Sequence, residues 1–133
     1  SLKYFKKFIK NKKKNIKNLL MDQTFVSGLG NIYVNEALFA SKIHPLKLCN
    51  NLSNIEIRNL IINIKKILQL SILKGGSSIR DFKNTLGKSG SFQQFFHVYG
   101  KESKKCSRIS CNGKIKKIQI SNRSSFYCNK CQN

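Results

Sequence analysis

Four cysteines carry the clearest chemistry in this 133-residue chain: Cys106, Cys111, Cys128 and Cys131, spaced C-x4-C-x16-C-x2-C. A tetrahedral zinc takes four thiolates as two close pairs on tight turns, with a strand pair between them. The C-x2-C pair and the sixteen-residue interval fit that pattern, and the C-x4-C pair is a looser version of it. Two disulfides or free thiols are the alternatives. No signal peptide is visible, and disulfides do not persist in a reducing compartment. One structural Zn2+ on these four ligands is therefore expected. Cys49 has no paired neighbour and reads as a small buried apolar residue.

Between the cysteine pairs, Ile115, Ile118 and Ile120 on one arm and Phe126-Tyr127 on the other predict two strands, with Ser121-Asn122-Arg123 as their turn. Arg123 then stands at the tip of a metal-stiffened hairpin, flanked by Lys114, Lys116, Lys117 and Lys130. A planar guanidinium grips a phosphate with two parallel hydrogen bonds, a geometry lysine does not reproduce. The plainer reading is an exposed turn residue. Gly28-Leu29-Gly30-Asn31 is a second phosphate-directed candidate. Glycines allow close approach to an anion, and the free amides of a following helix point at it. Asn31 would cap that helix and offer its own amide to a phosphate oxygen. Taken alone, Gly-x-Gly before a helix is more often simply a turn.

Charge gives these sites a partner. Lys and Arg total 26 against five acids, for a net charge of +21. A surface so single-signed repels itself until a polyanion covers it, so nucleic acid leads and an anionic membrane is a distant second. Only four of the bases are Arg, and the abundance of Lys, Asn and Ile makes any single lysine weak evidence. With 40% hydrophobic residues the chain can fill a core. No run approaches the roughly 20 apolar residues of a bilayer span. These features point to a cytoplasmic monomer that binds nucleic acid and no membrane.

The elements that must position these residues are mostly helical. Residues 1–14 hold seven lysines and no acid, and read as a basic arm, a linker or the frayed start of a helix. Ile16, Leu19 and Leu20 open a helical pattern, which Gly28 and Gly30 interrupt. A second helix follows from Asn31 and ends before His44-Pro45. The third is marked best: Ser53 and Glu56 form a capping box, with Leu52 and Ile57 as its hydrophobic staple. Its stripe of Ile57, Leu60, Ile61, Ile64, Ile67, Leu68 and Ile72 reads as core, and Gly75-Gly76 as its C-terminal cap. A short helix is expected at 78–84 and an exposed loop at Gly87-Lys88-Ser89-Gly90.

Several motifs occur in a fixed order: Leu20-Met21-Asp22-Gln23, Gly28-Leu29-Gly30-Asn31-Ile32-Tyr33, Ile43-His44-Pro45, Gly75-Gly76-Ser77 and Arg80-Asp81-Phe82. Gly87-Lys88, Phe92-Gln93, Val98-Tyr99-Gly100 and Arg123-Ser124-Ser125-Phe126-Tyr127-Cys128 follow. The series resembles the C-terminal part of bacterial formamidopyrimidine-DNA glycosylase, of the family that includes endonuclease VIII. The resemblance covers nearly the whole chain from about Lys12. It implies a mainly α fold, in which a helix–two-turns–helix DNA-binding domain precedes a small four-cysteine zinc-finger β-hairpin. The corresponding divisions are 1–14, 15–97 and 98–133.

The resemblance also implies base-excision repair of oxidised purines in double-stranded DNA. Lys13, Gly30, Asn31, Lys88 and Arg123 would contact DNA, and Arg123 would donate the proton in δ-elimination. Gly87–Gln93 matches the loop that closes over the flipped base, with Ser89 and Ser91 where the family usually reads Pro and Tyr. The family's nucleophile is an N-terminal proline followed by a Glu. The one proline here, Pro45, is locked in a peptide bond. The expectation is thus the DNA-binding half of a glycosylase and AP lyase, a fragment or a separately encoded half, with the catalytic domain elsewhere. A stand-alone zinc protein that binds nucleic acid without catalysis is the alternative.

Overall fold

Apolar residues at helical intervals build most of the molecule. The computed structural model describes residues 2–22, 30–73 and 96–133, with backbone only for 70–73. Helices α1 (Leu2–Lys10), α2 (Ile16–Asp22), α3 (Gly30–Ala40) and α4 (Asn54–Leu73) precede a two-stranded antiparallel sheet, β1 (Ile115–Ile120) and β2 (Arg123–Cys128). A 3-10 turn, Cys49–Asn51, lies before α4. The fold is mainly helical with one hairpin. No helix among the described residues is long and apolar enough to cross a membrane.

The helical core gathers Ile16, Leu19 and Leu20 of α2, Val34, Ala37 and Leu38 of α3, and Ile57, Leu60, Ile61 and Ile64 of α4. Ile57, Leu60, Ile61 and Ile64 of the α4 stripe are buried as their spacing predicts, with Ile67 and Leu68 half-buried against the same core. The Ile72 side chain, and residues 75–76, 78–84 and 87–93 with the expected cap, helix and loop, lie outside what is described. The capping box forms: Ser53 Oγ accepts from Glu56 N at 3.1 Å, and Glu56 Oε1 accepts from Ser53 N at 2.9 Å. Leu52 and Ile57 are both buried beside it. Cys49 is buried in the same core, and desolvation pushes its thiol up to about 11.

Residues 1–14 differ from a free arm. They carry α1, which packs on α4 and buries Ile9. Its lysines project outward while Phe5, Phe8 and Ile9 face the core, so a segment read by charge is held by its apolar side. After α1 the chain runs beside residues 45–49: Ile16 N donates to Lys47 O, Lys17 N to Pro45 O and Cys49 N to Lys14 O. Asn15 caps α2, its Oδ1 accepting from Asn18 N at 2.8 Å.

A second, smaller core joins the hairpin to the helices. Phe39 of α3 packs with Val98, Ile115, Phe126 and the buried cysteines, and Tyr99 touches both cores. At the chain's end, Asn133 N donates to Lys42 O and His44 N to Asn133 O, so the last residue is stitched to the turn after α3.

Candidate nucleic-acid interface and metal centre

Zinc at about 2.3 Å from four sulfurs sets them roughly 3.8 Å apart. The Sγ atoms of Cys106, Cys111, Cys128 and Cys131 all lie within 4.8 Å of one another. The Cys106–Cys131 pair is at 3.9 Å and the Cys111–Cys128 pair at 3.5 Å. The set fits one structural zinc. Backbone N–H groups of Lys130 and Cys131 point at Cys128 Sγ, each at 3.5 Å. Burial pushes that thiol up, but these amides, with hydrogen bonds from the Cys131 and Cys111 thiols, bring it down to about 7. Gly113 is required by packing: a Cβ there would strike Cys128 Sγ.

The hairpin turn is shorter than expected. Ser121 and Asn122 have φ of 50° and 67°, the mirror-image two-residue turn that matches strand twist. Arg123 therefore pairs with Ile120 as the first residue of β2 rather than lying in the turn. It gains a fixed strand register and keeps an exposed side chain at the hairpin tip. Arg123, Lys14 and Asn18 line a cleft of ≈ 350 Å³ between α2 and that tip.

Asn31 differs from expectation too. It lies inside α3, after Gly30, whose φ of +74° makes the entry to the helix. Instead of capping, its Nδ2 donates to Ser124 O at 2.9 Å, next to Arg123. The start of α3 and the hairpin tip, far apart in sequence, are thereby joined.

Two family models match the chain. Residues 1–83 match the formamidopyrimidine-DNA glycosylase H2TH domain, and residues 103–133 match the zinc finger found in FPG and IleRS. The chain belongs to the formamidopyrimidine-DNA glycosylase family. Formamidopyrimidine-DNA glycosylase of Roseobacter denitrificans is 49% identical over 123 residues, covering 92% of this chain and 44% of that protein. That of Wolbachia pipientis is 45% identical, covering 98% and 47%. The Lactococcus lactis Fpg complex with abasic-site DNA superimposes with a TM-score of 0.83 at 43% identity, covering 100% of this chain and 47% of that one. A structure of MutM with DNA containing carbocyclic 8-oxo-G gives 0.84 at 44%, with the same coverage. The chain spans less than half the length of these members of the formamidopyrimidine-DNA glycosylase family.

Of the residues that the formamidopyrimidine-DNA glycosylase pattern singles out, Gly30 and Asn31 lie at the start of α3, which meets Ser124 next to Arg123, Lys13 is exposed between α1 and α2, and Lys88 lies outside the described residues. Four further residues escaped sequence reasoning. Lys17 is fully buried and donates from Nζ to Ser125 Oγ at 2.6 Å. Glu36 accepts from the backbone N–H groups of His97, Val98 and Tyr99 at 2.8, 3.0 and 2.8 Å. Burial pushes its carboxyl up in pKa, and the three amides oppose that push. Asn35, also buried, bonds to both Asn31 and Phe126. Arg108, one of four arginines, bridges Cys131 Sγ at 2.9 Å and Phe39 O, bolting the metal site to the end of α3. Of these, Arg108 alone had a signal, its rarity; Lys17 was hidden among many lysines.

Proposed function

We propose that these 133 residues grip double-stranded damaged DNA as part of a base-excision repair glycosylase and AP lyase acting on oxidised purines, formamidopyrimidine and 8-oxoguanine among them. On this reading α2 and α3 are the helices of a helix–two-turns–helix motif, in a body over 15–97 that follows a basic segment (1–14) and precedes the finger (98–133). The protein works as a cytoplasmic monomer. The observation that carries the proposal is the bond from Asn31 Nδ2 to Ser124 O, which ties the start of α3 to the strand residue next to Arg123. An amide donor and a guanidinium fork carried on two elements tied together suit a phosphate backbone. The net charge of +21 supplies long-range attraction.

Extruding a nucleotide costs a few kcal/mol, and a grip on the backbone around the lesion offsets it. On this reading Asn31, Lys13 and Arg123 hold phosphates, and Lys88 is a further DNA contact. Arg123 then supplies the proton for δ-elimination. Pro45, an internal residue, has no free amine, so the nucleophile of the family is not among these residues.

Borohydride trapping on an abasic-site duplex, alongside equilibrium binding, tests this reading. The expected result is binding without a covalent adduct. An adduct would show that an amine in these residues attacks the sugar. Failure to bind at moderate ionic strength would end the proposal.

A further inference from the structure

A two-stranded hairpin leaves one edge of each strand without a partner, and buried edge groups left unpaired are costly. Along β2, Ser124 O and Phe126 N lie two residues apart and so face the same edge. That edge abuts α3, and one side chain meets both groups. Asn35, 1% exposed, accepts from Phe126 N through Oδ1 at 2.8 Å and places Nδ2 3.4 Å from Ser124 O. A carboxamide carries one acceptor and a donor group, as a peptide unit does. Asn35 thus stands where a third strand would. Its Nδ2 also donates to Asn31 O at 2.8 Å, locking its orientation.

The position matters because of what precedes and follows it. Arg123 is the residue before Ser124, and Asn31 is one helical turn before Asn35. Ser124 O currently takes its shorter bond, 2.9 Å, from Asn31. An Asn31 amide that turns to a phosphate must release that carbonyl, and Asn35 is the donor within reach to receive it.

We propose that Asn35 is a positioning residue for Arg123: as a surrogate third strand it fixes the hairpin tip against the start of α3, so that Arg123 and Asn31 engage one DNA backbone together. This rests on the phosphate-binding reading above, and the test separates the two.

The test is a double-mutant comparison on the zinc-loaded chain, reading affinity for an abasic-site duplex. Arg123→Ala is introduced into the native background and into Asn35→Leu, which removes both edge bonds. Asn35→Asp, which keeps only acceptors, and Asn35→Ser provide milder backgrounds should the leucine variant fail to fold. Zinc content of one per chain certifies each background. Loss of a phosphate-gripping arginine costs about tenfold in the native background, about 1.4 kcal/mol. With Asn35 replaced, the same change should cost less than about twofold, because a hairpin that is folded but not aimed has lost that contact already. If Arg123→Ala is harmless in the native background, the phosphate-binding reading fails. If it costs the full tenfold in zinc-loaded Asn35 variants, the positioning role alone fails. Loss of zinc in all three variants also overturns it, since Asn35 would then hold the hairpin together rather than aim it.

Discussion

Lys17 Nζ and Ser125 Oγ are 2.6 Å apart, joining α2 to β2 through an ammonium group with no exposed surface. The next residue along from this bond is Arg123's neighbour Ser124, so a buried cation supports the strand that presents an exposed one. Such an arrangement is costly without an anion, and the cost has a measurable pH signature.

Burial, and secondarily the charge of Arg123, hold the Lys17 amine at about 8 against an ordinary 10.5. The unfolded chain therefore binds more protons between those values, and this residue makes stability rise as pH climbs from about 8 to about 10.5. Below 8 its full cost is present. Lys17→Met should flatten that rise and raise the thermal midpoint at pH 7, as followed by circular dichroism. An unchanged pH slope in the variant would show that Lys17 is not so perturbed.

Glu36 offers a test of how the finger is tied to α3. Its two carboxylate oxygens accept three backbone amides from residues 97–99. Glu36→Gln keeps one acceptor oxygen and turns an amide toward other amides. Buried donors left unpaired cost about 1–3 kcal/mol, so urea unfolding should show a loss of about 2 kcal/mol. A loss under about 0.5 kcal/mol would mean that these amides find other partners.

Removing zinc should separate the two cores. Around the metal, the residues buried with the cysteines are few, namely Phe39, Val98, Ile115 and Phe126, and the metal supplies much of the order there. The α2–α3–α4 core holds none of the ligands. Chelation is expected to expose the hairpin amides to hydrogen exchange while α4 stays protected. Collapse of α4 protection at the same chelator concentration would contradict this independence.

What could be read from sequence follows the distance over which each residue acts. The Ser53–Glu56 capping box and the α4 stripe were legible because their partners are within a turn or two of helix. The zinc ligands were legible because a metal imposes its own spacing. Asn31 was placed correctly near the start of a helix, but its side chain serves a strand 93 residues away instead of the helix end. Glu36 and Asn35 reach 61 and 91 residues along the chain, and no local pattern encodes such partners. For residues 1–14 the start of a helix was one of three readings, and the lysines did not decide among them; the apolar side of α1 does. Arg123 was located, yet its place in β2 rather than in the turn depended on two consecutive positive φ angles that Ser121 and Asn122 do not announce.

Most direct is the salt dependence of binding to an abasic-site duplex, measured for the zinc-loaded chain and for Arg123→Ala across a range of monovalent salt. Each phosphate contact contributes about 0.9 to the slope of log affinity against log salt. Arg123→Ala is expected to weaken binding by about tenfold and to lower the slope by about one contact. A variant that binds with the parent's slope and affinity would contradict a backbone grip built on the hairpin tip.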